Sequence, residues 1–123
     1  MKLINEWKIP IKTISEANCV EHWTKKRKRH LLQKRWINAA FMSENMIFPE
    51  KLNIRMIRIS TRFLDDDNLV SAFKHIRDAI AGCLRPEKAA GQADNDPKLI
   101  WECRQEKGKP QMVRIEFYTP NEI

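Results

Sequence analysis

The segment Leu64-Asp65-Asp66-Asp67-Asn68-Leu69 lies where a strand-like stretch meets an amphipathic helix. It puts three carboxylates in a row in a chain of 123 residues whose formal net charge is +7. Adjacent carboxylates repel one another, so a fold retains them where something compensates their charge. A divalent metal is the usual compensation when the ligands are oxygen atoms. An acidic metal site on a basic protein suggests chemistry on a polyanion, and nucleic acid is the first to consider.

Upstream of this acidic run, residues 52–64 form an apolar segment that predicts a strand. Apolar residues alternate with polar ones from Leu52 to Met56 and then continue one position out of phase at Ile57 and Ile59. A strand with one exposed face keeps its alternation. The slip therefore indicates either a bulge or a strand that is buried on both faces.

Downstream of the acidic run, residues 69–84 have the clearest helical pattern. Their apolar positions recur at i, i+4, i+7, i+11 and i+14, which places them on one narrow stripe of a helix. The stripe consists of Leu69, Phe73, Ile76, Ile80 and Cys83. Asp67 or Asn68 is predicted to cap the helix, and Pro86 is predicted to end it.

The N-terminal third predicts one strand and one helix. Residues 3–14 alternate weakly and predict a strand near a sheet edge, because the segment contains a proline. Residues 20–42 have helical periodicity with an interruption at 24–30, and Ser15 or Asn18 offers an N-cap.

The C-terminal part completes the element order. Residues 85–97 lack apolar periodicity and predict a mobile loop. Residues 99–103 and 112–118 predict two strands that form a terminal hairpin. The order β-α-β-α-β-β predicts an α+β fold, with a small mixed sheet and two main helices in a single domain over residues 1–123.

Composition excludes several classes of protein. A hydrophobic content of 42% supports one core, no apolar run is long enough to cross a membrane, and Met1–Trp7 lacks the apolar centre of a signal peptide. The three cysteines, Cys19, Cys83 and Cys103, are odd in number and lack paired spacing, which argues against a disulfide framework. Cys19 and His22 form only half of a zinc site, so we expect free thiols and a cytoplasmic location.

Two members of the acidic run form a natural ligand pair. If strand geometry persists to residue 67, Asp65 and Asp67 point to the same side and Asp66 points away. The later segment Asp94-Asn95-Asp96 precedes the third strand. If that strand lies beside the strand ending at Asp65, Asp96 adds a third carboxylate. Three carboxylates suit Mg²⁺ or Mn²⁺, which polarise a phosphoryl oxygen and activate a bound water.

A simpler explanation of the acidic run is a helix cap with favourable charge at the start of the helix. It accounts well for Asp67 and Asn68 and poorly for Asp65. An EF-hand loop is excluded because its glycine and distal glutamate are missing after Asp65. A haloacid-dehalogenase-type phosphatase is disfavoured, since Leu69 replaces the usual Thr or Val of its motif.

The acidic run, the amphipathic helix after it, the segment Asp94-Asn95-Asp96 and the terminal strands together resemble the RusA family of Holliday-junction resolvases. The resemblance covers roughly residues 62–117. It implies a homodimeric, Mg²⁺-dependent endonuclease, bacterial or phage-encoded, that nicks branched DNA such as four-way junctions. By position, Asp65, Asp67 and Asp96 take the places of the catalytic carboxylates, with Asp94 as the alternative to Asp96.

The resemblance departs from the family pattern at one catalytic position. The family commonly places a lysine four residues after the second motif aspartate, where this chain has Ser71. Helical projection puts Lys74 on the same side as Asp67, so Lys74 is the expected substitute. Arg77 lies nearer the apolar stripe and is the weaker choice.

Residues 25–35 carry the densest positive charge. The predicted DNA-binding residues are Lys25, Lys26, Arg27, Lys28, Arg29, Lys34 and Arg35. In a helix, Lys26, Arg29 and His30 share a face, while Lys28 and Arg35 lie elsewhere. Consecutive cations repel, so this segment is expected to fray until phosphates neutralise it. The alternative to a nuclease is a non-catalytic basic module that binds nucleic acid.

The remaining aromatic and histidine residues carry no assigned chemistry. Trp23 and Trp36 are expected in the core or in a dimer interface. Phe63 is expected in the core, with a wedge at a DNA branch point as the alternative. The three histidines of the chain are scattered, and none is assigned to catalysis.

Overall fold

The computed structural model describes residues 1–16, 20–44, 46–89 and 91–120. In chain order the elements are β1 (Lys2–Ile9), α1 (Trp23–Ser43), β2 (Leu52–Ser60), α2 (Asp66–Ala72), α3 (Lys74–Leu84), the 3₁₀ turn Ala93–Asn95, β3 (Leu99–Lys107) and β4 (Met112–Thr119). The predicted α+β class is confirmed. The N-cap considered at Asn18 and the thiol of Cys19 lie outside the described residues.

The strands form one mixed sheet in the order β1-β4-β2-β3. The central strand β2 runs parallel to β3, with Leu52 opposite Leu99, and antiparallel to β4. β4 also pairs antiparallel with β1. The predicted terminal hairpin is wrong, because β2 lies between β3 and β4.

The connection from β3 to β4 crosses the end of β2. Gly108 N donates a hydrogen bond to Ser60 O at 3.1 Å. A Cβ added at Gly108 would lie 2.9 Å from Ile59 Cγ2, which is too close for a side chain. A glycine therefore occupies the point where the chain passes closest to the sheet.

The hydrophobic core unites the sheet with all three helices. It is formed by Trp7, Ile9, Ile11, Ile37, Leu52, Ile54, Met56, Leu69, Phe73, Ile76, Ile80, Leu99, Val113, Ile115 and Phe117. The register of β2 with β3 is continuous, and Met56 and Ile57, which point to opposite faces, are both buried. The phase slip thus reflects burial on both faces, one of the two predicted explanations.

The helices differ from the prediction in their continuity. α1 runs without a break through residues 24–30, and Arg29 within it is paired with Glu16 and Glu21. The second predicted helix is divided at Phe73, whose N–H bonds to Val70 O at 3.2 Å instead of continuing the α-helical ladder. The fold consequently has three α-helices in its described part rather than two.

Several aromatic residues lie at the surface rather than in the core. Trp23 and Trp36 are exposed, because the inward face of α1 is occupied by Gln33 and Ile37, and Phe63 after β2 is exposed as well. The core position is therefore wrong for all three, while the dimer interface given as the alternative for Trp23 and Trp36 stays a prediction. None of the helices described is long and apolar enough to cross a membrane.

Candidate functional site

The acidic run lies at the start of α2. Asp65 is the N-cap, and its carboxylate accepts a hydrogen bond from Asn68 N at 3.1 Å. Asp66 and Asp67 occupy the first turn, where the helix dipole favours negative charge. The predicted cap at Asp67 or Asn68 is wrong, because the extended backbone ends at Asp65 and the helix has already begun at Asp66.

Two side chains fix the approach of the chain to the acidic run. Gln105 on β3 donates from Nε2 to Leu64 O at 2.7 Å and accepts at Oε1 from Leu64 N at 2.9 Å. Ser15 Oγ donates to Asn68 Oδ1 at 2.5 Å. The acidic run is thereby attached to the end of β3 that Gln105 marks.

The carboxylates of the acidic run have no cationic partner in the part of the chain that the structure describes. Asp65, Asp66 and Asp67 are all exposed. None of the ion pairs found within 4.0 Å includes them, although the chain has 23 lysines and arginines. Their position at the start of α2 offsets part of their mutual repulsion.

Asp96 is held in a different environment. Its Oδ1 accepts from Lys98 N at 2.9 Å, and its Oδ2 accepts from Arg85 Nε at 2.9 Å and lies 3.8 Å from Lys88 Nζ. The backbone hydrogen bond from Lys98, together with Arg85, lowers the pKa of the Asp96 carboxyl. Asp96 is buried, and its negative charge is already paired.

The predicted three-carboxylate site does not form within one chain. Asp96 precedes Leu99 at the start of β3, whereas Gln105, six residues later on that strand, holds the acidic run. At roughly 3.3 Å per residue, these two points are about 20 Å apart. β3 does lie beside β2, but the strands are parallel, so Asp96 meets the beginning of β2 and not its end. The expected meeting of Asp96 with Asp65 is corrected on this ground.

The cations predicted near the acidic run have different surroundings. Lys74 is exposed at the first residue of α3. Arg77 places Nε 3.3 Å from Asp94 Oδ2 and its guanidinium 5.0 Å from the centre of the Trp101 ring. Arg77 therefore anchors the loop that carries Asp94, the other candidate for the third ligand.

The predicted DNA-binding cations lie on one helix. α1 contains seven of them and no carboxylate over its 21 residues. Arg29 differs from the others because it is not available to contact DNA. Its guanidinium is paired with Glu16 and Glu21, and its side chain is largely buried. The other six, Lys25, Lys26, Arg27, Lys28, Lys34 and Arg35, form what we call the basic surface. Lys28 and Arg35 are exposed, whereas Lys26, Arg29 and His30, which were predicted to share a face, are each less exposed.

A cleft of about 610 Å³ separates α1 from α3 and the loop after it. Arg27, His30 and Lys34 line it from α1, and His75 and Asp78 line it from α3. Burial raises the pKa of the Asp78 carboxyl, and the negative charge of Asp94 adds to the effect. Burial lowers the pKa of the His75 imidazole, and positive charge on His30 would lower it further.

Beside this cleft, Glu16, His30 and His75 bring one donor atom each within 4.8 Å of one another. His30 Nε2 lies 3.1 Å from Glu16 Oε2, and the two imidazoles stack with their centres 3.5 Å apart. No other described group of three or more His, Cys, Asp or Glu side chains meets this condition. We call the group of Glu16, His30 and His75 the His–Glu cluster. Its members lie far apart in sequence, so no spacing motif could have revealed it.

Glu16 is the most strongly perturbed carboxyl described. Burial alone would raise its pKa, but hydrogen bonds from Arg29 and His30 outweigh burial and lower the pKa from 4.5 to about 2. The carboxylate is thus ionised at neutral pH.

No family model, curated protein or solved structure matches this chain. The resemblance to the RusA family stays a prediction, and function is argued from the contacts of the chain itself.

Proposed function

We propose that the protein binds nucleic acid through α1. The observation that carries this proposal is the basic surface: six of the seven cations of a helix without carboxylates form no ion pair in the described chain. Elsewhere the arginines are extensively paired, as Arg55, Arg85 and Arg114 illustrate. Unpaired cations concentrated on one helix favour a polyanionic partner.

Phosphates are the groups that the basic surface would contact. Each lysine or arginine that neutralises a phosphate releases condensed counterions, so affinity falls steeply with salt concentration. Phosphate contacts position a duplex without reading its sequence. The proposed activity is therefore binding that is strong at low salt and weakly dependent on sequence.

Two variants with equal charge change test this proposal. In the first, Lys25, Lys28, Lys34 and Arg35 are replaced by glutamine. In the second, glutamine replaces four exposed lysines outside α1 that form no ion pair in the described chain: Lys2, Lys12, Lys51 and Lys109. Fluorescence anisotropy with a labelled duplex at several salt concentrations gives both the affinity and its salt dependence.

The α1 variant is expected to lower the slope of log K against log salt by about 0.9 for each phosphate contact removed. The control variant is expected to retain a slope close to that of the wild type. Equal losses in the two variants would mean that net charge alone drives binding, and the assignment to α1 would be abandoned.

We propose metal-dependent cleavage of branched DNA as a second candidate function. The observation that favours it is the acidic run, whose three exposed carboxylates have no cationic partner in the described chain of a protein with net charge +7. Mg²⁺ or Mn²⁺ held by Asp65 and Asp67 would activate a water for attack on phosphorus, and Lys74 would offset developing negative charge.

A second copy of the chain would have to supply Asp96 to that site. The homodimer that the RusA resemblance implies offers such a source, because a two-fold axis can bring opposite ends of two sheets together. Incubation of the wild type with four-way junctions and linear duplex, with and without Mg²⁺, tests for cleavage. Binding without any Mg²⁺-dependent cleavage would leave the non-catalytic module as the function.

A further inference from the structure

The His–Glu cluster is assembled by the packing of α1 against α3. His30 lies on the less exposed face of α1, and His75 is the second residue of α3. Glu16 lies before α1. Its carboxylate contacts Arg29 and His30 on α1 and lies within 4.8 Å of a ring nitrogen of His75 on α3. Three separate segments therefore direct donor atoms to one place.

The spacing of the donor atoms fits a small coordination sphere. Two ligands about 2.0–2.1 Å from a tetrahedral metal lie about 3.3 Å from each other. His30 Nε2 and Glu16 Oε2 are 3.1 Å apart. The third donor atom, on His75, lies within 4.8 Å of both, so a small rotation of its side chain completes the set.

Arg29 orients the carboxylate of the cluster. Its Nη2 donates to Glu16 Oε2 at 3.0 Å, and its Nη1 donates to Glu16 Oε1. Glu21 Oε1 accepts from the other side of the same guanidinium at 2.7 Å. Two carboxylates and one guanidinium leave a net charge of −1 next to the two imidazoles. Ligating carboxylates in proteins are commonly supported by such outer hydrogen bonds.

His75 has capacity for a further partner. In the described chain its ring nitrogens form no hydrogen bond, and its main polar neighbour is the stacked ring of His30. The half-buried imidazole of His75 lies beside a second imidazole and a carboxylate. Each of these three side chains can offer a lone pair, and one cation could accept all three.

We propose that Glu16, His30 and His75 form a binding site for a divalent transition metal of the Zn²⁺ class. Two imidazoles and one carboxylate are the donor set that zinc takes in three-ligand sites, whereas Mg²⁺ prefers oxygen donors and retains its waters. This site is formed by α1, α3 and the segment before α1, and it shares no residue with the acidic run.

Three protein ligands leave the metal an open coordination position. His30 and His75 both line the cleft between α1 and α3, so this position opens on the cleft. Arg27 and Lys34 line the same cleft and belong to the basic surface. The fourth ligand would accordingly be water or a small anion that these cations attract.

Metal titration of matched variants tests the site. Chelator-treated protein is titrated with Zn²⁺ by calorimetry and with Co²⁺ by visible absorption, for wild type, His30→Gln, His75→Gln and His22→Asn. His22 is exposed outside the cluster, and asparagine preserves its capping of α1. The two cluster variants are expected to lose affinity at least about tenfold, while His22→Asn retains the affinity of the wild type.

The wild type also answers the question without substitution. Nitrogen-15 spectra of the three histidine rings should show shifts at His30 and His75 when Zn²⁺ is added, and none at His22. An excess of Mg²⁺ should leave all three unchanged. Unaltered zinc affinity in both cluster variants, absence of ring shifts at His30 and His75, or a Co²⁺ spectrum dominated by sulfur ligation would each overturn the proposal.

Discussion

The acidic run and the His–Glu cluster place three potential metal ligands in opposite ways. Asp65, Asp66 and Asp67 are consecutive and exposed, and the carboxylate of Asp65 is engaged in capping α2 through Asn68 N. The members of the His–Glu cluster come from three segments, yet their donor atoms lie within 4.8 Å of one another. Consecutive residues of a helix lie on different faces of that helix, whereas the packing of α1 on α3 brings together residues that are distant in sequence. In this fold, convergence of donors results from packing.

The largest expected effect tests whether a second copy completes the acidic run. If the protein has the Mg²⁺-dependent junction cleavage proposed as its second candidate function, Asp65→Asn and Asp96→Asn are each expected to abolish it. If Asp96 acts across a homodimer, a mixed dimer of the two variants contains one intact site. A 1:1 mixture, unfolded and refolded together, should then recover about a quarter of the wild-type sites, measured as nicked junction.

A site confined to one chain gives no recovery, because every chain in the mixture carries a defect. Size measurement with one variant tagged shows whether mixed dimers have formed. If mixed dimers form and no nicking returns, Asp96 does not complete the acidic run across a dimer, and its contacts with Arg85 and Lys98 are the role that the structure supports. That result would leave the His–Glu cluster as the one converged ligand set among the described residues.

The next effect concerns the stability that Glu16 contributes. Its folded-state pKa of about 2 lies below its ordinary value of 4.5, so the contribution is complete above pH 4.5 and disappears as pH falls to about 2. A difference of this size corresponds to about 3 kcal/mol. In chelator, Glu16→Gln should lower the free energy of unfolding by about this amount at pH 7, measured by urea denaturation.

The same comparison at lower pH shows whether the stability that Glu16 contributes decreases as its carboxylate becomes protonated. The gap between wild type and Glu16→Gln should narrow steadily below pH 4.5. Glu87→Gln, at an exposed residue without an ion pair in the described chain, serves as the control and should differ little from wild type at any pH. A pH-independent gap would show that Glu16 stabilises through packing rather than charge.

Local sequence patterns predicted the faces of the elements well. The stripe from Leu69 to Cys83 faces the core, and of the two explanations predicted for the phase slip at Ile57, burial on both faces is confirmed. The order of strands was not predictable in the same way. The segment around Gly108 has the composition of a hairpin turn, but it crosses β2, and only the long-range pairing of β2 with both neighbours distinguishes the two.

The candidate sites follow the same division. The acidic run and the cations of α1 were visible because they are contiguous in sequence. The 44 residues between His30 and His75 hide their stacking, and the parallel direction of β3 separates Asp96 from Asp65. A single sequence contains no local signal for either outcome, since both depend on how α1, α3 and β3 are arranged in the fold.

The smallest expected effect separates the structural role of Asp65 from any metal role. As the N-cap of α2, Asp65 is worth about 1 kcal/mol to stability, and asparagine caps a helix about as well as aspartate. Asp65→Ala should therefore lower the free energy of unfolding by about 1 kcal/mol, while Asp65→Asn should leave it nearly unchanged. Asp66→Asn, which removes a charge from the same turn without a capping bond, is the matched control.

The response of the melting temperature to Mg²⁺ distinguishes the capping role of Asp65 from a metal-binding role in a single measurement. An ion bound by the acidic run stabilises the folded protein by an amount that grows with the logarithm of its concentration relative to its dissociation constant, so the wild-type melting temperature should rise with Mg²⁺. Asp65→Asn keeps the cap and loses a ligand. In the absence of Mg²⁺ the variant and the wild type should therefore have the same melting temperature. When Mg²⁺ is added, the melting temperature of the variant should not rise. If wild type and Asp65→Asn respond equally, Asp65 is a cap alone. The unpaired charge of the run would then be explained by the start of α2 and water, and metal binding by the described chain would rest on the His–Glu cluster.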